Sequence, residues 1–141
     1  MAINPDIQRR AQEELDSVVG NDRLPDFNDR PHLPYVDAIY HEVLRFAPPA
    51  NIGAPHALME DDTYEGYFLP KGGSSLFMCI HGLESFFFFL PGSIVTANIW
   101  AMTHDESIYP EPHLFIPERY LDFNGKLKDD SRILSYGFGR R

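Results

Sequence analysis

Cysteine is nearly absent from this sequence, and its scarcity removes several protein classes at once. Cys79 is the only one in 141 residues, so neither an internal disulfide framework nor a cysteine-rich metal site can be built. Basic charge is also in short supply. Twelve lysines and arginines stand against 21 acidic residues, a net charge of −9, which leaves no basic footprint for a nucleic-acid partner. The opening Met1-Ala2-Ile3-Asn4-Pro5 lacks a basic region followed by an apolar run, so no signal peptide or membrane anchor is expected there. What the chain does have is a globular composition, 43% hydrophobic and 13% aromatic, in a length of about one domain.

Helical periodicity opens the chain. Asn4 is an expected N-cap and Pro5 suits a first helical position. Ile7, Ala11, Leu15 and Val18 then recur at helical spacing until Gly20, predicting a helix over residues 5–19. A polar stretch rich in Asp, Asn and Pro, residues 21–30, reads as a loop. From Leu33-Pro34 a second helix is expected, its apolar stripe formed by Val36, Ile39, Tyr40 and Val43 and its end set by Pro48-Pro49. Glu42 and Arg45 fall off that stripe, three residues apart, and by spacing alone read as a solvated surface pair.

Strand signals follow. Residues 57–59 and 64–69, separated by the acidic turn Glu60-Asp61-Asp62, are expected to form a hairpin, with a further turn at Pro70-Lys71-Gly72. Residues 94–97 read as the next strand, running into apolar residues 99–102, after which Pro110, Pro112 and Pro117 forbid long regular elements. The sequence ends in Tyr136-Gly137-Phe138-Gly139-Arg140-Arg141. Its glycines permit a tight turn close to a planar or anionic ligand, and its arginines offer donors to carboxylates or phosphates. Such a loop is also compatible with an ordinary surface turn.

The order of these pieces resembles the C-terminal part of a cytochrome P-450, closest to the eukaryotic microsomal type and, in the strand region, to fungal members. The family's Glu-x-x-Arg motif matches Glu42 and Arg45, and its Pro-Glu-Arg-Phe motif matches Pro117, Glu118 and Arg119, with Tyr120 in place of Phe. Its haem loop, Phe-x-x-Gly-x-Arg-x-Cys-x-Gly, matches Gly139 and Arg141, with Tyr136 at the opening position. The resemblance implies a mainly α fold with a small antiparallel β-sheet: the C-terminal helices, hairpin region, meander and start of the haem loop, with residues 1–141 forming part of one domain incomplete at both ends. It implies an architectural charge cluster of Glu42, Arg45 and Arg119. Haem contacts would come from His56, Tyr136, Gly137, Phe138, Gly139 and Arg141, with Arg141 and His56 facing propionates. Read locally, His56 is a surface histidine at a strand start. The implied reaction is insertion of one oxygen atom of O₂ into an organic small-molecule substrate. The implied electrons come from NADPH through a flavoprotein reductase, and the implied location is the endoplasmic reticulum membrane.

Two departures from the family pattern bear on function. The axial cysteine is expected two residues past Arg141, so no metal ligand and no catalytic residue is assigned in this sequence, and the fragment alone is expected to be inactive and free of haem. Residues 73–92 interrupt a hairpin turn that the family makes directly from Lys71-Gly72 to Ser93. Their Phe86-Phe87-Phe88-Phe89-Leu90-Pro91 run would be encoded by a pyrimidine-rich tract like that before a splice acceptor. The segment reads as a retained intron or gene-model error, the alternative being an apolar loop that dips into a membrane. Three functions stay open: a piece of a haem-thiolate monooxygenase, a non-catalytic truncated or pseudogene product, and a small acidic interaction domain.

Overall fold

The structure, a computed structural model, describes residues 3–71 and 96–128. These fall into two compact units, the first within Met1–Ala47 and His113–Ile133 and the second within Pro48–Pro112.

In the first unit, helix α1 spans Pro5–Val18 and helix α2 spans Pro34–Phe46. A 3₁₀ turn at Arg30–His32 precedes α2, and a second 3₁₀ turn covers Pro117–Tyr120. Asn4 occupies the cap position of α1, but its side chain makes no capping bond; its carbonyl accepts from the Gln8 N–H instead. Gly20, at φ +74°, takes the left-handed conformation that turns the chain after the helix. The 21–30 loop is pinned from within. Both Arg23 guanidinium arms reach the Asp29 carboxylate, at 2.6 and 2.7 Å, and the Asp26 N–H donates to the same carboxylate at 2.8 Å. The Arg23 fork, seconded by that N–H, holds the Asp29 carboxyl down at about 2.

The core of this unit joins Ala11 of α1 to Tyr35 and Ile39 of α2, with Ile7, Val36, Phe115 and Leu121 packed around them. Helix α2 does not present the apolar stripe expected from its sequence. Its buried residues are Tyr35, Ala38, Ile39, His41, Glu42 and Arg45, whereas Tyr40 and Val43 are exposed. The face of α2 that turns inward is chosen by where its charges find partners, a preference that counting apolar residues cannot register.

In the second unit, strands β1 (Asp62–Tyr64) and β2 (Tyr67–Leu69) pair antiparallel, with Asp62 opposite Leu69, Thr63 opposite Phe68 and Tyr64 opposite Tyr67. The hairpin is therefore shorter than the one read from sequence. Residues 57–59 take no part in it, Asp62 belongs to a strand rather than a turn, and the turn is Glu65-Gly66. Both turn residues have positive φ, +48° and +85°, the requirement of the two-residue turn whose twist matches that of the strands it joins. Thr96 and Ala97 are not in a strand; residues 94 and 95 lie outside the described residues. The apolar residues 99–102 fall in helix α3, Ile99–Thr103, which Asn98 Oδ1 caps by accepting from the Ala101 N–H at 3.0 Å. The Trp100 N–H donates to the Asn51 carbonyl at 2.9 Å. At Gly53, φ +60°, any Cβ would sit 3.2 Å from the Ala97 carbonyl oxygen, so glycine answers both the dihedral and the close approach.

Candidate functional site

The deepest polar group of the first unit is the Glu42 carboxylate, with no accessible surface. It projects from the third turn of α2, and Arg45, one turn further on, meets it fork to fork: Arg45 Nε donates to Oε2 at 2.7 Å and Nη2 to Oε1 at 2.8 Å. The three-residue spacing puts both on one face of the helix, and the face is the interior one. The solvated pair read from spacing alone is thus corrected: Arg45 is only 3% exposed. Chain from far along the sequence closes over the pair. The Ile116 N–H donates to Glu42 Oε1 at 2.8 Å, and Arg119 Nε lies 3.3 Å from Oε2. Arg45 Nη2 also donates to the Leu114 carbonyl at 3.2 Å. One carboxylate thereby gathers two guanidinium groups and a backbone N–H, and both of its oxygens are engaged.

Such an arrangement joins the chain around Leu114, Ile116 and Arg119 to α2. Desolvating a carboxylate is costly, and it is tolerated here because bidentate, charge-assisted bonds replace water. Proline at the start of the second 3₁₀ turn presets the dihedral that brings Arg119 round.

A second set of contacts, not anticipated from sequence, holds the same turn through Glu118. Arg10 of α1 pairs with the Glu118 carboxylate, Tyr35 Oη donates to it at 3.3 Å, and the Arg10 guanidinium lies 4.2 Å above the Tyr35 ring centroid. Burial first, then the Glu118 charge, raises the Tyr35 phenol above its ordinary value. Glu14 of α1 is also unanticipated. Its two carboxylate oxygens accept the Tyr35 and Val36 N–H groups, at 3.0 and 2.9 Å. Helix α2 has Leu33 at its cap position and no side-chain cap of its own, so its first free donors are satisfied from another helix. The signal was readable: a helix opening Leu-Pro has no local acceptor and must find one elsewhere.

His56 is exposed, on the stretch between Gly53 and β1 in the second unit. Tyr136, Gly137, Phe138, Gly139 and Arg141 lie outside the described residues, as do Cys79 and the segment 73–92. Within the first unit the described residues bring together Glu42, Arg45 and Arg119; His56 belongs to the second. No group of three or more metal-ligating side chains occurs among the described residues. No helix among them is long and apolar enough to cross a membrane.

The Glu-x-x-Arg pair of α2 and the distant Arg119 thus meet in one helix–turn contact, and comparison with known proteins identifies the family. The cytochrome P-450 family profile matches residues 1–85 and 78–141, and the chain belongs to this family. It is 42% identical over its whole length to cytochrome P-450 monooxygenase 58 of Postia placenta, covering 24% of that protein. It is 41% identical, again over its whole length, to cytochrome P-450 monooxygenase claR of Ampulloclitocybe clavipes, covering 23%. With cytochrome P-450 monooxygenase 105 of Postia placenta the identity is 44% over 97% of the chain. The chain thus spans about a quarter of the length of these fungal relatives.

Proposed function

We propose that this chain supplies the proximal-side scaffold of a haem-thiolate monooxygenase: the C-terminal helices, the hairpin region and the meander that leads into the haem loop. The observation that carries the reading is the Glu42 carboxylate, whose bonds to Arg45, Arg119 and Ile116 fasten the Pro117–Tyr120 turn to α2. The family implies haem, a reductase that delivers electrons from NADPH, an organic substrate and the endoplasmic reticulum membrane. Bound haem with a thiolate on its iron would supply the oxygen-activating chemistry.

The described residues include no thiolate that could hold a haem iron. A thiolate is required, the single cysteine is Cys79 within 73–92, and the donors of the buried cluster are committed to Glu42. His56 and Arg141 are proposed as propionate contacts, and Tyr136, Gly137, Phe138 and Gly139 as the loop that lies against the haem. The segment 73–92 is proposed to be translated intron or gene-model error; the two stretches matched by the family profile, 1–85 and 78–141, meet inside it.

The purified chain, mixed with haem, reduced and exposed to carbon monoxide, should give no band characteristic of a thiolate-ligated complex. A band lost in the Cys79→Ser variant would overturn the reading of 73–92. Sequencing the mature transcript tests that segment independently: its codons should be missing from most messages.

A further inference from the structure

His41 is the one residue on the inward face of α2 whose polarity the charge cluster does not use. It is 6% exposed, and its Nδ1 is fully buried with no hydrogen-bond partner among the described residues. Its ring lies 5.3 Å from that of Tyr120, tilted by 38°, and meets Tyr40 edge-on at 5.9 Å. Tyr120 is the last residue of the Pro117–Tyr120 turn and is itself buried. The imidazole therefore fills the space between α2 and the turn that Glu42 fastens, and does so as a neutral, largely apolar plate.

Adding a proton changes what that plate is. The imidazolium carries a donor on both ring nitrogens, and the buried Nδ1 has no acceptor to meet it. The charged groups on the elements packed around it offer no relief. On α2, Asp37 is engaged by Arg30 Nε at 3.0 and 3.1 Å, and Glu42 is engaged by Arg45 and Arg119. On the second turn, Glu118 is paired with Arg10. Glu14 of α1 accepts the Tyr35 and Val36 N–H groups, and Asp122, beyond the turn, accepts the Asn124 and Lys126 N–H groups; Arg30, Arg45, Arg119 and Lys128 are cations, and Lys128 Nζ donates to the Arg119 carbonyl.

We infer that His41 is an acid-operated latch: neutral, it holds the Pro117–Tyr120 turn against α2, and protonated, it leaves its site and releases the turn. Burial, opposed by Asp37 and seconded by Arg30, lowers the His41 pKa in the folded chain, in the direction the geometry requires. In the unfolded chain the group titrates at about 6.5. Between that value and the lower folded one, the released state holds one proton more than the latched state. Stability of the contact is therefore complete above about pH 6.5 and is lost as the pH falls towards the folded value, by up to about tenfold in the latched-to-released ratio per pH unit.

The test uses the full chain. Amide exchange, corrected for its intrinsic pH dependence, should show the Leu121 and Lys128 N–H groups, which donate to the Glu118 and Tyr120 carbonyls, losing protection as pH falls from 6.5 to 5. The α1 amides should keep theirs over the same range. His41→Phe, which keeps a plate and removes the proton, should abolish the difference. Proton NMR titration of the unaltered chain reads the latch without any variant: His41 should titrate below the ordinary histidine value of about 6.5. Titration of His41 at or above 6.5, equal loss across α1 and the turn, or an unchanged response in His41→Phe would each overturn the proposal.

Discussion

The two units secure their chain reversals by opposite means. In the first, distant segments are joined by side chains that give up water: Glu42 binds Arg45, Arg119 and the Ile116 N–H, and Glu14 binds the first donors of α2. In the second, the hairpin is set by backbone conformation at Glu65-Gly66, and every residue of β1 is exposed. A buried polar join fails all at once when a partner is removed, because the other partner is left desolvated. A turn held by dihedral preference fails locally.

The sharpest way to break the contrast is Glu42→Ala, which strands two guanidinium groups. We expect a loss of about 3–5 kcal/mol, read as a shift in the urea midpoint of the first unit; a loss below about 1 kcal/mol would mean that the cluster is relaxed by water. Next comes Gly66→Ala, at φ +85°. Forcing a Cβ into the left-handed region costs about 1–2 kcal/mol, and it should erase the cross-strand contacts between Thr63 and Phe68 in NMR spectra while leaving the first unit's midpoint in place. Glu14→Ala removes only a cap, so about 1 kcal/mol is expected, with faster amide exchange at Tyr35 and Val36.

Acid supplies a graded probe of the same unit. The Asp29 carboxyl is held at about 2 against an ordinary 3.8. Its contribution to stability is thus intact above about pH 4 and is lost as the pH falls towards 2. Asp29→Asn should flatten the unfolding curve over that interval, measured by circular dichroism. The smallest effect belongs to Arg9→Ala. Arg9 and Asp6 are 66% and 80% exposed, and their pair should contribute under about 0.5 kcal/mol to the midpoint.

What could be read in advance follows from what each residue reveals alone. Pro5 and Gly20, and Pro34 with Pro48, bracket two helices because their backbone limits are intrinsic. The inward face of α2 was not legible, because Glu42 and Arg45 look like surface residues until Ile116 and Arg119 arrive from more than seventy positions away. Their grouping came from the order of motifs and not from any property of the pair. The hairpin was misplaced because Glu65 gives no sign that it will accept a positive φ, while three consecutive acids resemble a turn. Helix α3 was not anticipated because five residues are too few to show a helical period, although Asn98 offers a cap.

The Glu14 contact also bears on the order in which the chain acquires structure. It spans 21 and 22 residues, whereas the bonds that bring in Ile116 and Arg119 span 74 and 77. Isolated helices of 14 and 13 residues are marginal in water, but each can nucleate against the other once the short loop between them closes, which is fast for so small a separation. During synthesis, α1 and α2 are therefore expected to pair while the later segment is still being made. The inward face of α2 then waits, polar and unfilled, for a partner that reaches it last.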